Sequence, residues 1–222
     1  MLELIKTMTV PETYLENPFF DHLSDHEKSV LNSNASLMKF EQEEMFIKNE
    51  SLLLSVFYIY KGEVKLKDSE GHLVDIYGEK DFIGLRYLFT EEPVFFSAYG
   101  VKGTEIIQFE KNVYRKFVAT NSKFLVEVYN KSNENMNSLV KNLLSYKRNK
   151  VNGALANFLL CYSEKGCLIY LKQKEISDML GYSRENINKC LNNFTAEGYI
   201  EYTDENIKIK NIEALQSIKK FG

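Results

Sequence analysis

Residues 171–210 impose the strictest constraint on the fold, because this stretch carries the marks of a helix, a tight turn, a second helix and a small hairpin. Apolar residues at helical spacing, Ile176 and Leu180 among them, stop at Gly181, and glycine readily takes the left-handed conformation that ends a helix. Ser183 then offers a side-chain oxygen to cap the next helix. The stretch predicts a winged helix-turn-helix.

The second helix of this stretch has one apolar face. The residues on that face are Ile187, Cys190, Leu191 and Phe194. Because the small Ser177 lies four residues before Gly181 and Ile187 lies six after it, we expect the two helices to approach closely and to lock through an apolar contact. Two alternating runs, residues 199–202 and 207–209, flank an acidic turn and predict the wing.

The opposite, polar face of the second helix predicts a surface that contacts DNA. The residues expected to meet base edges in a major groove are Ser183, Arg184, Glu185, Asn188 and Lys189. A solvated charged face on an ordinary helical domain is the alternative explanation. The turn, the helix spacing and the wing together argue against that alternative.

The net charge of −3 conceals a basic C-terminal third, since residues 147–222 hold 12 Lys or Arg against 9 Asp or Glu. The excess is mild, so DNA binding would depend on where the charges lie.

The three cysteines show no paired metal spacing and are expected to be small core residues. Residues 1–13 lack the apolar run of a signal peptide and no window is apolar enough to span a bilayer, which predicts a soluble, cytoplasmic protein.

Short alternating strands broken by glycines extend from Leu37 to Phe109. The strands expected from the pattern are residues 55–60, 63–67, 72–77, 97–101 and 105–109. Such a series favours a compact antiparallel barrel or roll, and the interior of such a roll can hold a small molecule. Ahead of the roll, Asn17 opens a short amphipathic segment that is expected to cover the core through Phe20, Leu23, Val30 and Leu31, with Ser24 as the expected start of a helix. His22 and His26 stand four residues apart without a third ligand nearby, which favours surface histidines over a metal site.

Residues 121–149 contain no Pro or Gly and predict one long helix with a heptad seam. The dimer-interface residues expected on that seam are Leu125, Tyr129, Met136, Leu139, Leu143 and Tyr146. A second apolar stripe comprises Phe124, Val128, Val140 and Leu144. We expect one stripe to face the roll and the other a twin helix, and the alternative is that the seam packs only on its own roll. Residues 147–150 predict a hinge.

The order of a roll, a long heptad helix and a C-terminal winged helix-turn-helix resembles the Crp/Fnr family of bacterial transcription regulators over nearly the whole chain. The segments that carry the resemblance are residues 59–64 (IYKGEV), residues 78–84 (GEKDFIG), Ser97 with Ala98, and residues 181–185 (GYSRE). The resemblance implies an α+β fold in three parts. These are an effector-sensing β-roll domain at 1–120, a long dimerisation helix and hinge at 121–149, and a winged helix-turn-helix domain at 150–222.

The same resemblance implies a homodimer on an inverted-repeat site in double-stranded DNA, with RNA polymerase as a further partner. By resemblance, Arg184 and Glu185 would contact a G·C pair, and Lys189 takes the place of the family's second base-contacting arginine. An ammonium group cannot reproduce the guanidinium fork, which weakens bidentate contact to guanine at that position. The residues implied to lie near backbone phosphates are Lys172, Gln173 and Lys174.

The effector pocket implied by the resemblance comprises Gly84, Leu85, Arg86, Phe96, Ser97, Leu139 and Val140. Leu85 stands where the cyclic-AMP-binding branch has a glutamate for the ribose, and Phe96 stands where it has an arginine for the phosphate. A buried phosphate without a charged partner would be strongly disfavoured. We therefore expect that cyclic AMP is not the effector. Either another, unknown effector binds, or the roll is filled by its own side chains, Phe82, Phe95 and Phe96 among them, and the protein is active without a ligand.

No cysteine precedes Cys161, so the iron–sulfur branch of the family is excluded, and His72 is the only histidine after Asn32, which argues against haem. A single histidine also cannot supply the clustered ligands of a metal-dependent oxygenase. We therefore expect neither an enzyme nor a resident cofactor. The alternative function is a ligand-sensing roll that acts through protein partners, which would leave residues 183–189 without a purpose.

Overall fold

The computed structural model of the chain describes residues 9–148, 150–164, 171–203 and 206–221. Predictions on Cys167, on Asn149 in the hinge, on the wing turn at residues 204–205 and on the side chains of Leu143 and Tyr146 lie outside the described residues. The chain divides into two compact units: Met1–Val64 with Glu79–Asn135, and Lys65–Gly78 with Met136–Gly222. The predicted three-part division of the chain stays a prediction.

Antiparallel sheets confirm the predicted fold class. The strands are β1 (Ala35–Lys39), β2 (Glu44–Ile47), β3 (Ser55–Lys61), β4 (Val64–Lys67), β5 (Leu73–Tyr77), β6 (Phe82–Ile83), β7 (Ser97–Gly100), β8 (Glu105–Glu110), β9 (Ile200–Thr203) and β10 (Asn206–Ile209). In the first unit, β1, β8, β3 and β6 form one sheet in that order, and β2 pairs with β7. In the second unit, β4 neighbours β5 and β9 pairs with β10.

The helices include the long helix that the heptad pattern predicts. They are α1 (Asp25–Ser33), α2 (Lys111–Thr120), α3 (Ser122–Arg148), α4 (Val151–Glu164), α5 (Gln173–Leu180), α6 (Arg184–Ala196) and α7 (Ile212–Phe221). Ser24 caps α1 in a reciprocal arrangement, because its Oγ accepts from the Glu27 amide while the Glu27 carboxylate accepts from the Ser24 amide at 2.8 Å. The predicted start of α1 is confirmed.

Aromatic rings from distant segments fill the core of the first unit. The rings that meet there include Tyr14, Phe20, Tyr58, Phe82 and Phe109. Phe20 belongs to the segment predicted to cover the core, and Leu23 and Leu31 of that segment are buried in the same core, as predicted. Edge-to-face and tilted ring contacts of this kind stabilise a core beyond the area that they bury.

The turn after β3 depends on Gly62. Its φ of +82° lies in the left-handed region, where an L side chain is strained. A Cβ at this position would come within 2.7 Å of the Thr104 Oγ1. That hydroxyl accepts from the Glu63 amide and donates to the Glu63 carbonyl, so the turn is tied to the residue that precedes β8. A glycine is therefore required by both backbone conformation and space.

The two predicted stripes of α3 do not behave uniformly. Phe124 and Val128 are buried in the core of the first unit, as expected of a stripe that faces the roll. Val140 and Leu144, the other two residues of that stripe, belong to the second unit and are exposed in the single chain. The expectation that one stripe faces the roll therefore holds for the part of α3 that belongs to the first unit.

The second unit has its own apolar core, built by α4 to α7 together with the β4–β5 hairpin and the wing. The fully buried side chains there include Leu73, Ile76, Leu155, Phe158, Leu159, Leu171, Ile176, Ile187, Leu191 and Leu215. Cys190 is buried beside them and its Sγ donates to the Asn152 Oδ1 at 2.8 Å, while burial raises the pKa of its thiol. Cys190 is therefore a small core residue, as predicted.

Candidate nucleic-acid interface

The turn between α5 and α6 is built as the sequence predicts. α5 ends at Leu180, and Gly181 follows with a left-handed φ of +70°. Ser183 caps α6, since its Oγ accepts from the Asn186 amide at 3.3 Å. The Ser177 hydroxyl donates to the Tyr182 carbonyl at 2.6 Å, which fastens the turn back onto α5.

The two faces of α6 separate cleanly. Its apolar residues, Ile187, Cys190, Leu191 and Phe194, are all buried in the core of the second unit. Arg184, Glu185 and Lys189 are exposed on the other side, Ser183 is exposed at the cap, and Asn188 is half-buried among them. The structure thus brings the five residues predicted to contact bases onto the first turns of one helix, facing solvent.

The charges on this outer face differ in how firmly they are held. Lys189 Nζ lies 3.0 Å from Glu185 Oε1, in an ion pair between residues one helical turn apart whose side chains are both largely exposed. Such exposed pairs are weak, so a ligand can replace them. Arg184 forms no ion pair within the described part of the chain. Its guanidinium is the cation of this face that is most readily available to a partner.

The three residues predicted near phosphates begin α5 or directly precede it. Lys172 and Lys174 are exposed, but Lys174 Nζ is already paired with the Asp178 Oδ2 at 2.8 Å. Gln173 is half-buried, and its Nε2 donates to the Asn188 Oδ1 at 3.1 Å. The sequence did not predict this contact, because Gln173 and Asn188 lie in two different helices. Helical periodicity relates only residues of the same helix.

A buried ion pair fixes the start of α5. Lys65 Nζ, on strand β4, lies 2.8 Å from one Glu175 carboxylate oxygen and 3.0 Å from the other. Glu175 Oε2 also accepts from the Lys172 amide at 2.9 Å, which satisfies one of the free amides of the first helical turn. A second buried bond joins the hairpin to α4, where the Tyr162 hydroxyl donates to Asp75 Oδ1 at 2.6 Å. These partners are 110 and 87 residues apart in sequence, and no local pattern connects them.

The wing lies beside α6 and is held by its apolar residues. Ile200 of β9 and Ile207 of β10 are buried, while the register of the pair places Ile207 opposite Tyr202. Lys210 Nζ lies 2.6 Å from Glu201 Oε2, and this hydrogen bond lowers the pKa of the Glu201 carboxyl. The predicted hairpin is confirmed in its two strands.

The residues implied to form an effector pocket are distributed over both units. In the first unit, Leu85, Phe96 and Ser97 are buried, and Gly84 has a left-handed φ of +103° at the start of a short 3-10 turn. Arg86 is exposed, and its guanidinium carbon lies 5.9 Å from the centre of the Phe95 ring. Leu139 and Val140 belong to the second unit, where Leu139 is half-buried and Val140 is exposed.

One expectation about the interior of the roll is wrong. Phe82 and Phe96 are buried as predicted, but Phe95 is 61% exposed. Phe95 and Phe96 lie in a bend directly before β7, and only the side chain of Phe96 is buried there. Phe96 instead meets Tyr87 edge-to-face at a ring distance of 6.4 Å.

The described part of the predicted dimer seam is open to solvent. Leu125, Tyr129 and Met136 are exposed on α3, with Tyr129 at 66%. Large apolar side chains aligned along a helix and left in water are typical of a surface that another molecule covers. Leu139 is half-buried, so the exposed line continues only in part at this position.

Neither a metal centre nor a membrane span is found in the ranges that the structure describes. No three His, Cys, Asp or Glu side chains among those residues come together as metal ligands. His22 and His26 do not share a helix face, because His22 precedes α1 and only His26 lies within it. The His22 Nε2 lies 3.5 Å from Glu127 Oε1. None of the described helices is both long and apolar enough to cross a bilayer.

Two family models match the chain in the predicted order. A cyclic nucleotide-binding domain matches residues 37–121, and a Crp-like helix-turn-helix domain matches residues 153–218. Among curated proteins, the CRP-like cAMP-activated global transcriptional regulator of Mycobacterium tuberculosis (strain ATCC 25618 / H37Rv) is 24% identical over 173 residues, which cover 72% of this chain and 77% of the relative.

Solved structures share the fold over most of the chain. FixK2 from Bradyrhizobium japonicum superposes with a TM-score of 0.71 at 15% identity, covering 83% of this chain and 96% of FixK2. A CRP-family transcriptional regulator from Thermus thermophilus, TTHB099, gives 0.68 at 17% identity, covering 82% and 97%. The c-di-GMP responsive global regulator CLP from Xanthomonas campestris gives 0.67 at 11% identity, covering 84% and 99%.

Proposed function

Because the chain belongs to the Crp/Fnr family of DNA-binding transcription regulators, we propose that two copies of it form a dimer that binds an inverted-repeat site in double-stranded DNA. The family consists of regulators rather than enzymes. The single observation that carries the proposal is the solvent-facing polar surface on the first turns of α6, presented by a turn whose cap and left-handed glycine fix its geometry.

The proposed base contacts follow from the chemistry of that surface. The Arg184 guanidinium can donate twice to the O6 and N7 atoms of guanine, and the Glu185 carboxylate can accept from the amino group of cytosine. Lys189 supplies a single charged donor, and it must first leave Glu185, from which it is 3.0 Å distant. Ser183 lies at the helix N-terminus, where the helix dipole also favours a phosphate.

The proposed phosphate contacts differ in strength. Lys172 is exposed and no carboxylate pairs with its ammonium among the described residues, so its full charge is available. Lys174 shares its charge with Asp178, and a phosphate would have to compete with that carboxylate. We therefore assign the larger electrostatic contribution to Lys172. Gln173 can donate one Nε2 hydrogen to a phosphate while the other is still donated to the Asn188 Oδ1.

The exposed apolar line on α3 supports dimerisation. Leu125, Tyr129 and Met136 recur at heptad spacing and remain in water in the single chain. A twin helix packed against this line would bury the three side chains. On an inverted repeat, the two copies of α6 in such a dimer would meet half-sites centred about one helical turn of DNA apart, roughly 34 Å. The predicted contributions of Leu143 and Tyr146 to this interface concern side chains outside the described residues.

We propose an effector other than cyclic AMP, or activity without any effector. The curated relative is named for activation by cAMP and the structural neighbour CLP for its response to c-di-GMP, so related proteins use different ligands. In this chain Leu85 and Phe96 are buried apolar residues at two positions implied to hold polar groups, and Arg86 is directed to the Phe95 ring. A buried phosphate next to Phe96 would lack a charged partner at that position.

We propose RNA polymerase as the further partner of a DNA-bound dimer. We also propose that residues 1–120 sense the effector, that residues 121–149 form the dimer, and that residues 150–222 bind DNA. A sensing roll that acts only through protein partners is the competing function. It gives no role to the polar surface of α6, which is why we favour DNA binding.

Selection of random DNA duplexes by the purified chain, at fixed salt and without added ligand, tests this function. We expect enrichment of an inverted repeat whose half-sites are centred about one helical turn apart. If the repeat is enriched only after a small-molecule extract of cells is added, activity without an effector is contradicted, whereas the proposal of DNA binding stands. Equal recovery of all sequences, with and without extract, would favour the competing function.

A further inference from the structure

A hydrogen bond between two side chains joins α5 to the polar surface of α6. Gln173 is the first residue of α5 and Asn188 is the fifth residue of α6. The Gln173 Nε2 donates to the Asn188 Oδ1 at 3.1 Å, and both side chains are half-buried. Asn188 lies one helical turn after Arg184, so it belongs to the same outward surface.

The bond determines which end of the Asn188 carboxamide is offered to a partner. A carboxamide has an acceptor oxygen at one end and a donor NH₂ group at the other. Here the oxygen is directed to Gln173, and among the described residues the Asn188 Nδ2 has no hydrogen-bond partner. The end of Asn188 that remains for a partner is therefore a donor.

An asparagine that is free to rotate prefers adenine, because it donates to N7 and accepts from N6 at the same time. An asparagine whose oxygen is held elsewhere loses the second of these bonds. It then favours a base that presents acceptors alone, namely guanine through O6 and N7 or thymine through O4. Adenine still offers N7, but its amino group meets the outward Asn188 donor without an acceptor. The orientation of one carboxamide is thereby converted into a base preference.

We infer that Gln173 is a positioning residue that fixes the Asn188 carboxamide and so makes Asn188 select an acceptor-bearing base. The inference rests on the proposed function, in which α6 enters the major groove of DNA. It differs from a phosphate contact by Gln173 in its consequence. A phosphate contact changes the affinity for all sequences alike, whereas positioning changes the preference at one base pair.

Gln173→Glu tests the inference by reversing the bond. A glutamate carboxylate only accepts, so Asn188 must turn its Nδ2 toward residue 173 and its oxygen outward. A carboxylate at the first position of a helix is also favoured by the helix dipole, so α5 should remain folded. Circular dichroism of the full chain checks that it does.

Duplex selection is then run on the wild type, Asn188→Ala, Gln173→Glu and the double variant. The base pair at which Asn188→Ala loses preference identifies the position that Asn188 contacts. There the wild type should favour guanine or thymine over adenine and cytosine by about two- to tenfold, as expected of one net hydrogen bond. Gln173→Glu should shift this preference to adenine or cytosine, whose amino groups donate.

The double variant and Arg184→Ala serve as controls. The double variant should be as indifferent at this position as Asn188→Ala alone, and Arg184→Ala should lose preference only at a different base pair. Gln173→Glu with weaker binding but an unchanged preference would overturn the inference and leave the proposed function standing. A shift that persists in the double variant, or an Asn188→Ala variant with every preference intact, would also overturn it. A wild type that selects no sequence would overturn both.

Discussion

Removal of the Lys65 charge should destabilise the second unit, because it leaves the Glu175 carboxylate buried without its cation. The Lys65 side chain is 3% exposed and that of Glu175 is 12% exposed, and the ammonium lies 2.8 and 3.0 Å from the two carboxylate oxygens. Lys65→Met keeps the unbranched stem and deletes the charge. Breaking one side of such a buried pair costs about 3–5 kcal/mol in the free energy of unfolding.

We expect the loss in Lys65→Met to fall near the lower end of that range. Glu175 retains one strong hydrogen bond, from the Lys172 amide at 2.9 Å, and water can reach a small part of its side chain. When Glu175 is replaced by Leu in the same chain, no charge remains unpaired. The double variant should therefore recover most of the loss and retain only about 1 kcal/mol, the typical cost of a missing helix cap.

Urea denaturation followed by far-ultraviolet circular dichroism measures these differences, since the chain contains no tryptophan and helices dominate the second unit. Lys189→Met is the matched control, because its partner Glu185 is exposed and the pair should contribute less than about 1 kcal/mol. A loss in Lys65→Met no greater than that of Lys189→Met would refute the reasoning, since it would mean that solvent screens both pairs alike.

Three further outcomes follow from the surfaces described above. Leu125→Glu combined with Met136→Glu should give a folded monomer in sedimentation that no longer binds an inverted repeat, and a variant that stays dimeric would place the interface elsewhere. Titration calorimetry with cyclic AMP should show no binding at micromolar concentrations, whereas binding coupled to tighter DNA association would contradict the effector proposal. Lys172→Ala should lower the slope of log affinity against log salt by about one per half-site. Lys174→Ala should lower it less, because its charge is already shared within α5, and equal slopes would contradict that ranking.

Local chemistry made the helix-turn-helix predictable from sequence. Gly181 and Ser183 determine where one helix ends and the next begins, through a left-handed conformation and a cap that involve only their near neighbours. The strands and the long helix were likewise predictable, because periodicity follows from which face is buried. All of these features depend on residues a few positions apart.

The contacts that the sequence did not predict join residues that are distant in the chain or that lie in different helices. Lys65 is flanked by Val64 and Leu66, and all three are buried, so alternation within β4 does not reveal that a lysine points into a core. Its partner Glu175 appears in the sequence as an ordinary acidic residue in a first helical turn.

The central claim is that the first turns of α6 recognise DNA sequence, and binding-site selection on Arg184→Ala tests it most directly. Arg184 is exposed and makes no ion pair among the described residues, so its removal should leave the fold intact. We predict a loss of about 1–3 kcal/mol per half-site, with preference relaxed at one G·C pair and kept at the others. If Arg184→Ala selects the same sequence as the wild type with the same preference at every position, α6 is not the recognition helix and the account is contradicted.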